Sequence, residues 1–388
     1  MRINKNRLVL GVSAYSVALM LSGAAHAVSW EVGDTKVDLY GYVKLDATYD
    51  VDAYLGPAVL RSNIRYDGVD GSDGHLNFHA NQSRIGTKTT TPMAHGGPLT
   101  TVIEFDFYGD ALGKETSSQK LRLRHAYASW NGLLAGQTTS NFGPENAYMP
   151  TLDFYGQAGG PNGRVPQIRY TMDKFSVSLE DPEVAGGGTP LDAAGDDSKS
   201  DLPNLTAAYN GRTDNLRYVV AGIARKLVYY DASTNNDESA FGWGALVQAA
   251  YNFPGTGTTV RAGVTHGDGI GKAIYFNFHQ PTYYDPATQS LETITATGFK
   301  TSISQQVGPG AINLGYNRLE NDVDDAVAAG VMSADSTDEV QTSVYLNYIW
   351  SPVKRIRYGV EVAHHTRETV SGRKGDATRL QGSLQYFF

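Results

Sequence analysis

Arg122 and Arg124 stand two residues apart in LRLRHAYASW, residues 121–130, and Glu104 and Asp106 stand two apart in EFDFYG, residues 104–109. Successive side chains of a β-strand point to opposite faces, so a spacing of two sends both members of each pair the same way. Guanidinium groups gathered on a wall that meets water select permeant ions by sign, while carboxylates on an adjacent segment can pair with them and stiffen the wall. The phase of the surrounding alternation adds Arg84, Lys88, Arg169, Arg217 and Arg261 to the inward basic set, with Arg225 and Arg357 beside them. The same phase turns Asp38, Asp46 and Glu361 inward.

Covalent or metal chemistry has a weaker footing. The chain has no cysteine and neither HExxH nor GxSxG, so the local signatures of nucleophilic and zinc-dependent hydrolysis are missing. His364 and His365 are adjacent and would face opposite sides of a strand, a poor metal pair. The acidic run 319–339 lacks the phase of an EF-hand. Neither a cofactor nor enzymatic activity is expected.

Long alternating strands must hold these charges. TKVDLYGYVKLDATYD, Thr35 to Asp50, sets Val37, Leu39, Val43, Leu45 and Tyr49 against Lys36, Asp38, Lys44, Asp46 and Thr48. That is longer than strands of soluble domains, about 5 or 6 residues, and fits a tilted membrane strand with extensions. Similar segments recur to the C-terminus, roughly sixteen in all; 76–90 is the weakest, with Phe78 and Ala80 out of register with Ile85. Short links such as Asn131-Gly132, Asp173-Lys174 and 307–310 alternate with long ones at 51–75, 141–163, 181–201, 227–238, 267–290 and 321–337.

Short turns on one side and long loops on the other predict an all-β, transmembrane, antiparallel up-and-down β-barrel of about 16 strands. A soluble sandwich or solenoid gives no reason for that alternation. Tyr170, Phe175, Tyr209, Tyr251, Phe253, Tyr348 and Trp350 crowd the short turns as an aromatic girdle. The chain ends in LQGSLQYFF, and its final rings are expected at the lipid interface where the last strand closes on the first.

Bulk properties agree. Among 388 residues Gly counts 43 and Tyr 24, with only 19% charged, which suits a turn-rich β chain with aromatic belts. Arg2, Lys5 and Arg7 precede an apolar stretch and Ala25-His26-Ala27, a secretory signal peptide over 1–27 followed by one barrel domain over 28–388. The remainder carries 29 basic and 40 acidic groups, a net −11, which disfavours a nucleic-acid partner.

The stretch 141–163 mixes Phe142, Tyr148, Leu152, Phe154 and Tyr155 with Gly and Pro and carries only Glu145 and Asp153 as charges. Such a loop needs cover from water, so it is expected to fold into the barrel and narrow it, with Phe142, Glu145, Tyr148, Asp153 and Tyr155 as its constriction residues.

Taken in order, DLYGYVKLDATYD, QSRIGTK at 82–88, EFDFYG, LRLRHAYASW, AGQTTSNFG at 135–143, DLPNLTAAY at 201–209 and the terminal Phe388 resemble the trimeric outer-membrane porins. In particular they are similar to the DcaP-like porins, a family linked to dicarboxylate uptake. The resemblance spans the whole chain after residue 27. It implies a homotrimer of 16-stranded barrels in a Gram-negative outer membrane, a third loop folded into each pore, and Arg122, Arg124, Arg164 and Arg169 as selectivity residues. Some members carry a coiled-coil extension before the barrel, whereas here the strand pattern starts soon after residue 27. The expected function is passive diffusion of small hydrophilic solutes with preference for anions, in contact with lipid and lipopolysaccharide. A structural or adhesive barrel whose loops bind partners is the alternative.

Overall fold

The computed structural model describes residues 28–109, 119–143, 148–160, 163–182, 197–275, 277 and 279–388. Along the chain run β1 (Val28–Val32), β2 (Thr35–Asp50), β3 (His75–His79), β4 (Arg84–Thr91), β5 (Leu99–Asp106), β6 (Arg122–Trp130) and β7 (Leu133–Thr139). They are followed by β8 (Arg164–Met172), β9 (Phe175–Glu180), β10 (Asp197–Lys199), β11 (Asn204–Arg212), β12 (Leu216–Asp231), β13 (Asn236–Phe253) and β14 (Thr258–Asp268). The last are β15 (Thr282–Asp285), β16 (Ser290–Thr293), β17 (Thr295–Val307), β18 (Gly310–Asp322), β19 (Asp338–Val353), β20 (Ile356–Thr369) and β21 (Lys374–Phe387).

Every wall pairing is antiparallel, and β2 pairs with β21 from Tyr42↔Phe387 to Asp50↔Arg379, so the sheet closes as a barrel of sixteen strands. β3 and β4 together form the second wall strand, β1 and β10 are short additions, and β15–β16 is a separate hairpin. Closure leaves no open edge along the wall, which backbone in hydrocarbon requires.

The faces are inverted relative to a soluble protein. Val43, Leu45, Ile168, Val220, Val247, Leu314, Leu346, Val360 and Leu384 are exposed on the outside, while Asp46, Glu104, Arg124, Gln167, Lys300, Glu361 and Arg379 are buried inside. Each such apolar side chain gains about 1.5–3 kcal/mol on leaving water, so this belt is stable only against lipid. Asn131 and Gly132, with φ of 49° and 85°, form the two-residue hairpin turn whose twist matches the strands.

The structure corrects three expectations. Residues 227–238 are not a long loop: β12 and β13 run on to Asp231↔Asn236 and close in a tight hairpin. The out-of-phase second segment is a real break. β3 and β4 both pair with β2, and at the gap Ser83 Oγ accepts from Lys44 N (3.0 Å) and donates to Lys44 O (3.3 Å), replacing the missing ladder bonds. Of the two final rings, Phe387 turns inward at 7% exposure, 5.6 Å from the Tyr42 ring, while Tyr386 and Leu384 take the outer face.

Two loops enter the barrel. The third extracellular loop does so as expected, and the first does so as well: Leu55, Val59 and Ile64 are buried with Ala377 of the wall. Residues 1–27 and Glu145 lie outside the described residues.

Candidate functional site

The described part of the third loop, 148–160, crosses the lumen from the β7–β8 wall to the opposite side. Its entry is held by Glu180, which accepts from Ser140 Oγ (2.7 Å) and Asn141 N (2.6 Å). Across the lumen, Glu361 on β20 accepts from the backbone N–H of Leu152 and Asp153, both at 3.0 Å, and from Asn347 Nδ2 at 2.8 Å. Gln157 Nε2 donates to Thr301 O (3.1 Å) and Tyr316 O (2.9 Å) on β17 and β18. Wall glycines make the seat: a Cβ at Gly298 would lie 2.3 Å from Gly159 O, and one at Gly359 would lie 2.4 Å from Leu152 Cδ2.

Asp153 joins the two inserted loops. Its Oδ1 accepts from Val59 N at 3.0 Å and lies 3.7 Å from Arg379 Nη1, and its Oδ2 accepts from Gly156 N at 3.0 Å. Arg379 in turn grips Asp50 at 2.6 and 2.9 Å. Arg61 of the first loop is fully buried and donates to Ser343 Oγ (3.0 Å), Tyr345 OH (3.2 Å) and Gly156 O (3.4 Å).

Against this loop stands the basic ladder. Arg122 binds Asp106 through two bonds of 2.9 and 2.6 Å; Arg124 binds Glu104 at 2.7 Å and Asp106 at 2.8 Å; Arg84 Nε lies 3.3 Å from Glu104. Tyr40 OH donates to Glu104 Oε2 at 3.1 Å. Phe154 of the loop caps the ladder, its ring 5.0 Å from the Arg122 guanidinium carbon, 5.8 Å from that of Arg124 and stacked at 4.3 Å on Tyr108. Cation–π contact and Coulomb pairing together hold the guanidinium planes in place.

The other candidate residues distribute along the channel. Arg164 opens β8 from the loop side beside Gly163 (φ 37°), and its electrostatic neighbours are Arg124, Arg122, Asp106 and Tyr275. Arg169, lower on the same strand, is tied to Gln167 Oε1 (2.8 Å) and Thr139 O. Lys88 sits opposite Asp38, and Arg217 and Arg261 lie near the short-turn ends of β12 and β14, away from the ladder.

Among the loop residues, Tyr155 accompanies Phe154 at 5.5 Å between ring centroids, and Tyr148 is 41% exposed. Phe142 is displaced from the expected constriction: it packs with Val219, Ile223, Leu246 and Ile270 in an apolar cluster on the inner wall.

Sequence reasoning did not assign Arg61, Glu180, Asn347 or Arg379 to loop anchoring. The available signal was inward polar side chains and glycine on wall strands, but their partners lie about 40 to 330 residues away in the chain.

The pattern of the DcaP outer membrane protein family matches residues 22–388. The chain belongs to the DcaP outer membrane protein family. It is similar to the outer membrane channel DcaP of Acinetobacter baumannii, a crystal structure 26% identical that covers 92% of this chain and 99% of its own, with a TM-score of 0.78. An anion-selective porin from Comamonas acidovorans is 14% identical over 91% of this chain and 100% of its own, with a TM-score of 0.58. OmpT of Vibrio cholerae is 13% identical over 93% of this chain and 100% of its own, with a TM-score of 0.54. The last two share the fold. Among curated proteins, none matches the sequence. This DcaP-family chain is therefore an outer-membrane porin of the Gram-negative outer membrane.

Proposed function

We propose that this porin passes small hydrophilic solutes with a preference for anions, dicarboxylates among them. We further propose that it works as a homotrimer embedded in lipid and lipopolysaccharide, its single barrel domain over 28–388 exported by a signal peptide of residues 1–27. The observation that carries the preference is the excess of guanidinium over carboxylate at the loop. Arg84, Arg122 and Arg124 meet only Glu104 and Asp106, and Arg164 adds a positive charge with no ion pair among the described residues.

Pairing does not exhaust the donors. A guanidinium offers five N–H groups; Arg122 uses Nε and Nη2 on Asp106, and its side chain stays 28% exposed. A carboxylate in transit meets donors already fixed in the wall, so little ordering is needed at that moment.

Reversal potential across a planar bilayer under a potassium chloride gradient tests the reading. An anion-selective sign that moves toward zero in R122Q and further in R164E is expected. Cation selectivity of the unaltered channel, with the folded barrel verified by its heat-modifiable gel band, overturns the anion preference and leaves the porin.

A further inference from the structure

We propose a second carboxylate subsite in the turn-side half of the channel, built from Arg217 on β12 and Arg261 on β14. It rests on the anion reading above and extends it to a separate place in the pore. In register, Arg217 pairs with Ala250 and Ala250 pairs with Arg261, so the two arginines occupy one row of the inner wall with a single strand between them. Two strand spacings put their Cα atoms about 10 Å apart, a gap that two arginine arms close around one carboxylate.

Their surroundings differ from those of the ladder beside Phe154. There, two carboxylates hold three guanidinium groups. Here, neither Arg217 nor Arg261 makes an ion pair among the described residues, and the charged neighbours of Arg217 are Arg212 and Arg261. Arg261 is only 4% exposed; its Nη1 donates to Ser304 Oγ at 2.7 Å, while its Nε is buried without a hydrogen-bond partner. The Nε of Arg217 is in the same condition, as is the hydroxyl of Ser302, which pairs with Arg261 in register.

The site therefore offers donors and no acceptor charge. Like charges held this close repel, and a buried guanidinium without a counter-charge is costly. A solute carboxylate meets both needs: its two oxygens accept from one edge of each guanidinium. The subsite lies toward the short turns, on the far side of the inserted loop from Arg122 and Arg164. An anion released by the first set then has a second resting place before it leaves.

The test is single-channel recording in potassium chloride with succinate added to both sides. In the unaltered channel, succinate interrupts the current; in R217Q/R261Q the interruptions shorten about tenfold or more, the loss of one charge-assisted contact. R217K/R261K, which keeps charge but not the planar fork, gives an intermediate duration. Folding of each variant is read from its heat-modifiable gel band, and single substitutions serve if the double fails to fold.

Interruptions unchanged in R217Q/R261Q but abolished in R122Q/R164Q overturn the subsite and leave the anion reading intact. Anion selectivity with no succinate interruption at all also overturns it. Cation selectivity of the unaltered channel overturns both.

Discussion

Removing the Glu361 carboxylate should loosen the inserted loop in graded steps. Glu361 accepts two backbone N–H groups, Leu152 and Asp153, each at 3.0 Å, in a buried setting. A hydrogen bond to a charged acceptor contributes about 1.5–3 kcal/mol, so each one lost makes undocking of this segment roughly 10- to 150-fold more frequent. Gln at this position keeps one acceptor oxygen and sets an amide N–H₂ against the other backbone donor; Ala keeps neither. The Gln157 and Asp153 anchors remain in both variants, so the loop is loosened and the barrel still closes. Open-channel noise and the frequency of higher-conductance excursions in planar bilayers should rise from the unaltered channel to E361Q and again to E361A. Equal noise in all three would refute the latch and shift the weight of loop anchoring to Asp153 and Gln157.

Other consequences follow from the same geometry. Gly298→Ala places a methyl group where Gly159 O stands 2.3 Å away; overpacking of this kind costs about 1–3 kcal/mol, so the variant should show altered conductance and a lower temperature of gel-band conversion. His279, in the extracellular loop region, donates from Nε2 to Asp338 O at 2.6 Å, and burial holds its pKa below the ordinary 6.5. A depressed histidine pKa means that the stability this packing supplies is intact above about pH 6.5 and declines as acid protonates the opened state first. Amide hydrogen exchange around 279 should therefore accelerate on acidification beyond the intrinsic pH trend, and H279F should abolish that excess.

Much of the wall was legible from periodicity alone. Thr35 to Asp50 alternates through its whole length, and the structure keeps the two faces the sequence predicts, with Lys44, Asp46 and Thr48 buried and Val43, Leu45 and Tyr49 exposed. Even the weak second segment was informative, because its lost phase marks the gap between β3 and β4. The hairpin at 231–236 was missed because Leu227 to Tyr230 lacks alternation: Leu227, Val228 and Tyr229 are all buried, packed partly under the β15–β16 hairpin. Distance along the chain gave no hint of that cover.

Alternation is a local property, set residue by residue by whether a side chain meets lipid or water, so the order of amino acids determined the barrel, its lipid-facing belt and the inward basic set. Which charges meet is not local. The sequence placed Glu104 and Asp106 near Arg122 and Arg124, but only closure of β2 on β21 brings Asp50 to Arg379, and only loop insertion brings Asp153 to both. Pairing energy depends on separations of a few ångströms and on the exclusion of water. Tertiary structure therefore decided which arginines are neutralised, which remain open to a solute, and that two loops rather than one narrow the channel.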